Sequence, residues 1–220
     1  MPGQPLDVTA AVAAIGAADP SMGALIQRAG PYEPRPGSED PFAALARAIM
    51  YQQLAGRAAA AIHGRFVQAV GGRVTPEAVL AVTPETLRAA GLSGNKAAAV
   101  IDLATHATNG AVPLAALDEL EDEEIITRLG AVRGIGRWTA EMFLMFDLGR
   151  PDVWPVEDYG VRNGWSMIHS LPELIKPRAL RDEGERFRPH RSLVAWYCWQ
   201  AVRIFRGEMT LPGAPPTRVS

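Results

Sequence analysis

The 220-residue sequence contains a single cysteine, Cys198. One thiol excludes an intramolecular disulfide framework, a four-cysteine zinc site and a four-cysteine iron–sulfur cluster. Aromatic residues are sparse, at 7%. No apolar run approaches the roughly 18 residues of a membrane span. The opening residues, MPGQPLDVTA, lack the basic and apolar regions of a secretory signal, so a soluble cytoplasmic protein is expected, with no membrane partner. Neither sign of charge dominates: 22 Lys and Arg against 24 Asp and Glu leave a net charge of -2. That balance speaks at first against nucleic acid, whose partners usually carry a basic excess. His63, His106, His169 and His190 form neither an H-E-x-x-H pair nor the pattern of a zinc deaminase. A P-loop and a G-x-S-x-G elbow are also missing.

What is present is helical. Alanine, the best helix former, fills 36 positions. Asp40-Pro41 reads as an N-cap with proline in the first turn, followed by Phe42, Leu45, Ile49 and Leu54 at near-helical spacing. A second helix is predicted from about Arg57 to Val70, with Ile62, Phe66 and Val70 on one face and Gly71-Gly72 as its stop. Thr75-Pro76 and Thr83-Pro84 open two short helices. Ser93 or Asn95 caps another, with Val100, Leu103 and Ala104 on one face. The acids at 121–124 suit a helix N-terminus. Further helices are predicted over about 137–148, from about Tyr159, and from about His190 to Arg206. Gly30–Gly37 and the stretch from Leu211 read as a loop and a tail. No period-2 strand and no internal repeat stand out, so the fold class is all-α.

Charge is unevenly spread. Acids gather in residues 1–40 and at 121–124, and nine Lys and Arg against four acids occupy 161–206. A cluster of this kind is usually a solvated helix face.

Leu129-Gly-Ala-Val-Arg-Gly-Ile-Gly-Arg-Trp-Thr-Ala carries the first chemical signal. A short helix over about 122–129 meets a turn on Gly134 and Gly136, then a second helix. Glycines two apart permit a tight turn and close approach of the backbone to a ligand. The amides at the start of the second helix suit a phosphate, with Arg137 and the Thr139 hydroxyl as further donors. Ile135 is expected to pack inward. Alone, G-x-G is more often an ordinary helical-hairpin turn. A dinucleotide fingerprint needs a preceding strand and a third glycine, where Thr139 stands.

Nineteen residues beyond Thr139 lies Asp158, in Val153-Trp-Pro-Val-Glu-Asp-Tyr-Gly-Val-Arg. It is an N-cap on the plainest view. Glu157 is a poor second carboxylate, since neighbours in an extended segment point apart.

The hairpin followed by this loop and its one Asp resembles the helix-hairpin-helix/GPD superfamily of base-excision DNA glycosylases, and is most similar to its 3-methyladenine, alkylation-repair branch. The resemblance runs from about residue 21 to 207. It implies two helical lobes with the active cleft between them, one made of residues 1–45 and 160–207, the other of 46–159 with the hairpin at about 122–148, and a tail at 208–220. It makes Asp158 the catalytic aspartate. Trp138, Tyr159 and Trp199, with Tyr51 and Met142, become the base pocket, whereas Trp196 reads as core. In Ile49-Met-Tyr-Gln-Gln-Leu-Ala it places Leu54 at the minor-groove wedge, beside Gln52 and Gln53; left to spacing alone, Leu54 would be a core residue. Gly91-Leu-Ser-Gly-Asn-Lys-Ala resembles a second hairpin-like turn with Lys96 near the DNA backbone, and Arg191 opens the C-terminal helix. Gly134, Gly136, Arg137 and Thr139 complete the DNA contacts.

The resemblance also implies a Na⁺ or K⁺ on the carbonyls of Gly130, Val132 and Ile135, although the family's proline before the first glycine is Arg133 here. Members that also cut the DNA backbone carry a Schiff-base lysine two residues after the second hairpin glycine; Trp138 stands there, which implies a monofunctional enzyme. The expected partner is duplex DNA with damaged bases, the expected state a monomer, and no catalytic cofactor or iron–sulfur cluster is expected. Two alternatives stay open: a non-catalytic hairpin module that only binds DNA, and a glycosylase for another base lesion. The basic second half supplies a local positive face, which revises the objection raised by net charge.

Overall fold

In the computed structural model the described residues are 7–33, 40–54 and 56–207. The predicted tail and residues 34–37 of the predicted 30–37 loop lie outside them. The helices are α1 (Val8–Ala18), α2 (Pro20–Ala29), α3 (Pro41–Tyr51), α4 (Gly56–Ala69), α5 (Pro76–Leu80), α6 (Pro84–Ala89), α7 (Gly94–Thr108), α8 (Asp122–Gly130), α9 (Arg137–Phe146), α10 (Tyr159–Ile168), α11 (Pro177–Gly184) and α12 (Arg191–Phe205). Short 3-10 helices occupy Leu114–Glu119 and Glu185–Phe187. No strand occurs among the described residues, and none of their helices is long and apolar enough to cross a membrane.

The caps follow from the sequence. Asp40 accepts from the Ala43 N–H at 3.0 Å, Thr75 from Ala78 at 3.2 Å and Thr83 from Thr86 at 3.3 Å. Of the two candidates for α7, Ser93 is the cap. Helix α4 stops before Gly71 and Gly72, both at positive φ. Helices α1, α2 and α11 were not anticipated. Asp7 and Asp19 cap the first two; α1 is alanine-rich and α11 polar, whereas Met22, Leu25 and Ile26 of α2 do form an apolar i, i+3, i+4 stripe.

The chain divides into two compact units, breaking at 35/36 and 149/150. These breaks displace the expected boundaries of 45/46 and 159/160. Residues 41–45 open α3, which packs on α4, α7 and α9. Residues 150–158 are bound to the other unit: the Ser192 hydroxyl donates to Arg150 O at 2.7 Å and accepts from Val153 N at 2.9 Å. Trp154 Nε1 donates to Leu180 O at 2.8 Å. Asp158 therefore belongs with the N- and C-terminal segments.

In the unit spanning α3 to α9, Phe42, Leu45 and Ile49 on α3 are buried, as are Val100, Leu103 and Ala104 on α7. Burying each large aliphatic side chain contributes about 1.5–3 kcal/mol. The other unit holds α1, α2, α10, α11 and α12. Its central contact is α10 against α12. A Cβ on Gly164 would lie 1.9 Å from the Cys198 carbonyl oxygen, so the two backbones meet where only glycine fits. The N-terminal helices are tied in by Asp19, which caps α2 and receives His169 Nε2 at 2.8 Å. Burial pushes the Asp19 carboxyl up, but the His169 hydrogen bond, the Met22 N–H and the charges of His169 and Arg186 outweigh it and hold the group below its ordinary value.

Two glycines should respond to alanine with opposite signs. Gly164→Ala is expected to cost about 3 kcal/mol or more in urea unfolding, since backbone must move. Exposed Gly64 in mid-α4 has nothing within 4 Å of a built Cβ, and Gly64→Ala is expected to stabilise by about 0.5–1 kcal/mol. Equal effects at both positions would contradict this account of the α10–α12 contact.

Candidate active site

The hairpin joins α8 to α9. Ile135 N donates to Val132 O at 3.1 Å, and Val132 and Ile135 are both buried. The turn needs Gly134, whose φ is +78°. Gly136 caps α9 with no side-chain acceptor, and a Cβ there would meet nothing within 4 Å. The start of α9 is thus neither shielded nor filled by its own cap. Arg133 N is anchored to Asp102 Oδ2 at 2.7 Å.

The donors expected to flank this backbone behave differently. Thr139 is buried, with Gln52 Nε2 3.5 Å from its hydroxyl, so it faces inward rather than toward a ligand. Arg137 pairs with Glu123 and, at 3.0 Å, with the buried Glu141. The Glu123 hydrogen bond leads in raising its pKa further. Arg191 is held by Asp152 at 2.7 Å and Glu185 at 3.3 Å. Both guanidiniums are thus bound within the protein. The Arg137–Glu141 pair was readable as an i,i+4 spacing; Glu123 and Asp152 carry no local signal.

Lys96 is likewise committed. Its Nζ donates to Met50 O and Gln52 O, both at 2.7 Å, at the end of α3. Burial lowers its pKa. Gln52 Nε2 donates in turn to Gly134 O at 3.0 Å. Gln53 follows at φ +56°, a left-handed conformation that costs a non-glycine residue about 1–3 kcal/mol. Next comes Leu54, beyond the helix end and 38% exposed, so it is not the core residue its spacing alone would suggest.

In the other unit Asp158 caps α10. Its Oδ1 accepts from Val161 N at 2.7 Å and from Trp199 Nε1 at 2.9 Å. Gly160 makes room for this: a Cβ there would lie 2.7 Å from Trp199 Cδ1 and 3.1 Å from Asp158 Oδ1. The N-cap and functional readings of Asp158 are therefore compatible, since one oxygen serves the helix and orients the carboxylate.

The aromatic candidates split between the units. Trp138 is 49% and Tyr159 61% exposed, too open for core packing to explain either ring. Trp199 and Met142 are half-buried. Tyr51 meets His63 edge-on at 6.3 Å. The His63 imidazole is pushed toward its neutral form by burial and by Arg47. Trp196 packs edge-on to Tyr32 at 5.1 Å and Tyr197 at 4.9 Å. No cluster of three or more His, Cys, Asp or Glu suited to a metal occurs among the described residues.

A helical hairpin and a capped, indole-bound aspartate thus stand on an all-α chain. The family described as "HhH-GPD superfamily base excision DNA repair protein" matches residues 46–189. The chain is 34% identical over 196 residues to DNA-3-methyladenine glycosylase 1 of Schizosaccharomyces pombe, which spans 87% of this chain and 85% of that protein. The solved S. pombe 3-methyladenine DNA glycosylase in complex with abasic DNA aligns at a TM-score of 0.76, over 87% of this chain and 95% of that one. A DNA-3-methyladenine glycosidase from Bacillus halodurans is 35% identical and aligns at 0.83, over 90% and 91% of the two chains. The chain belongs to the HhH-GPD superfamily of base excision DNA repair proteins.

The Asp158–Trp199 bond has a direct readout. The protein has five tryptophans, and one indole N–H resonance should move in both Gly160→Ala and Asp158→Asn. An indole spectrum unchanged in Gly160→Ala would count against the packing described around Trp199.

Proposed function

We propose that the protein is a monofunctional DNA glycosylase that flips alkylated, cationic purines such as 3-methyladenine out of duplex DNA and hydrolyses their N-glycosidic bond. The observation that carries this is Asp158, held through one oxygen by the Val161 N–H and the Trp199 indole, in a chain of the HhH-GPD superfamily.

Chemistry on a base inside a duplex requires the nucleotide to leave the stack, at a cost of a few kcal/mol that is least for damaged bases. Exposed Leu54 is suited to fill the vacated space, as apolar wedges do in kinked DNA. The hairpin backbone at Gly134 and Gly136 approaches a phosphate. Because Arg137 and Arg191 are paired internally, this grip relies on peptide N–H groups more than on bare cations. A cationic base is attracted to aromatic faces by about 0.5–2 kcal/mol per good contact. Exposed Trp138 and Tyr159 offer such faces, and Trp199, Tyr51 and Met142 are the further candidates for contact with the base.

The alkylated base is already electron-poor, so it departs without strong acid catalysis. Positive character then develops on the sugar as the C1′–N bond breaks. The Asp158 carboxylate stabilises it and orients the attacking water. Trp138 occupies the position where a lyase would hold its amine, so no Schiff base forms and the abasic strand stays intact.

This chemistry calls for no cofactor. The carbonyls of Gly130, Val132 and Ile135 suit a Na⁺ or K⁺: Val132 O accepts a turn hydrogen bond from Ile135 N, and a carbonyl has two lone pairs. Such an ion would add positive charge near a bound phosphate. The protein is proposed to act as a monomer in the cytoplasm.

Asp158→Asn is expected to cut base release from methylated DNA by more than about 10²-fold while leaving duplex affinity within about twofold. Retained excision would refute the assignment; loss of affinity instead would favour a binding module. Oxoguanine and mismatch duplexes assayed in parallel should release no base. Borohydride should trap no covalent adduct with the wild-type protein.

A further inference from the structure

We propose that Lys96 and Gln52 form a brace that couples the hairpin to the 52–54 turn, so that the hairpin's hold on a phosphate aims Leu54; Lys96 is a positioning residue and not a phosphate ligand. The proposal rests on the glycosylase reading above.

Lys96 stands in the first turn of α7, where its charge opposes the helix dipole. Across the packing contact, the same ammonium meets the last carbonyls of α3, which have no partner inside their own helix. A cation there is favoured by the α3 dipole and satisfies two acceptors at once. It costs α7 something and benefits α3. The chain is otherwise almost wholly committed to arginine: among 22 basic residues, the one lysine besides Lys96 is Lys176. A compact ammonium fits between two carbonyls 2.7 Å away, whereas a planar guanidinium fork is built for carboxylates and phosphates.

The second link runs from the same residue that accepts from Lys96. Gln52 O receives the ammonium, and Gln52 Nε2 donates to Gly134 O. Gly134 is the positive-φ glycine of the hairpin. One residue therefore joins α7, the end of α3 and the hairpin turn. The left-handed Gln53 comes immediately after it. A non-glycine residue persists in that region when its surroundings over-determine it, and the two links supply that constraint. Leu54 takes its direction from Gln53.

The test uses the full-length protein. Lys96→Cys removes the ammonium, and 2-bromoethylamine rebuilds it with sulfur in place of one methylene. Native Cys198 is buried with its thiol pKa raised by burial, and does not compete. Three quantities are read: base release from methylated DNA in single turnover, the salt slope of duplex affinity, and the fluorescence of 2-aminopurine beside a tetrahydrofuran abasic analogue, which reports wedge insertion. The brace predicts that Lys96→Cys slows release about ten- to a hundred-fold and abolishes the fluorescence rise. The salt slope should stay as in wild type, and aminoethylation should restore both lost signals. A slope reduced by about one, as for a lost phosphate contact, overturns the proposal. Unchanged release and fluorescence overturn it equally. If Lys96→Cys fails to fold, Gln52→Leu cuts the second link and must give the same split between release and affinity; full activity in that variant overturns the brace. A wild-type protein that releases no base sinks the glycosylase reading and the brace with it, whereas active wild type with equally active variants sinks the brace alone.

Discussion

The close approach of α10 and α12 at Gly164 governs the unit that holds Asp158. A helix pair separated by ordinary side chains would set Cys198 farther from α10. Trp199 follows Cys198 directly, and its indole must return to the N-cap of α10 to meet Asp158. The contact at Gly164 thus sets the depth at which the indole arrives, and Gly160 clears its path. Two missing methyl groups on one helix place a carboxylate oxygen between a backbone amide and a ring N–H. Such preorganisation is what electrostatic catalysis requires, since the supporting dipoles do not have to reorient as charge develops.

The local features of the fold were legible in the sequence. Thr-Pro and Asp-Pro pairs marked helix starts because capping and proline geometry act over three or four residues. The two hairpin glycines and the isolated Asp158 were legible for the same reason. Long-range partnerships were not. Lys96 had the look of a DNA contact because a lysine beside a glycine turn gives no sign of carbonyls more than forty residues earlier in the chain. Arg191 looked available for phosphate because Asp152, 39 residues upstream, leaves no mark on the local pattern. The boundary near Asp158 was missed because a loop declares its allegiance through tertiary hydrogen bonds, such as those of Ser192.

These partnerships change the view of charge. The basic second half suggested a positive face, yet Arg186, Arg188 and Arg191 each sit against carboxylates, as Arg137 does near the hairpin. Paired charges present dipoles to solvent rather than a field reaching across a Debye length. The net charge of -2 is therefore not offset by a local positive face at these arginines. Peptide dipoles at a helix start need no excess of cations.

The lone thiol has a chemical consequence of its own. Reagents that alkylate purines are electrophiles, and thiolates are among the first groups they consume. Cys198 has no exposed surface and is held protonated by burial and by the carboxylates of Asp158 and Asp19. With no other cysteine in the sequence, the protein offers no ready thiolate to the agents whose damage it is proposed to remove. The packing that sets Trp199 against Asp158 also shields the chain from that chemistry.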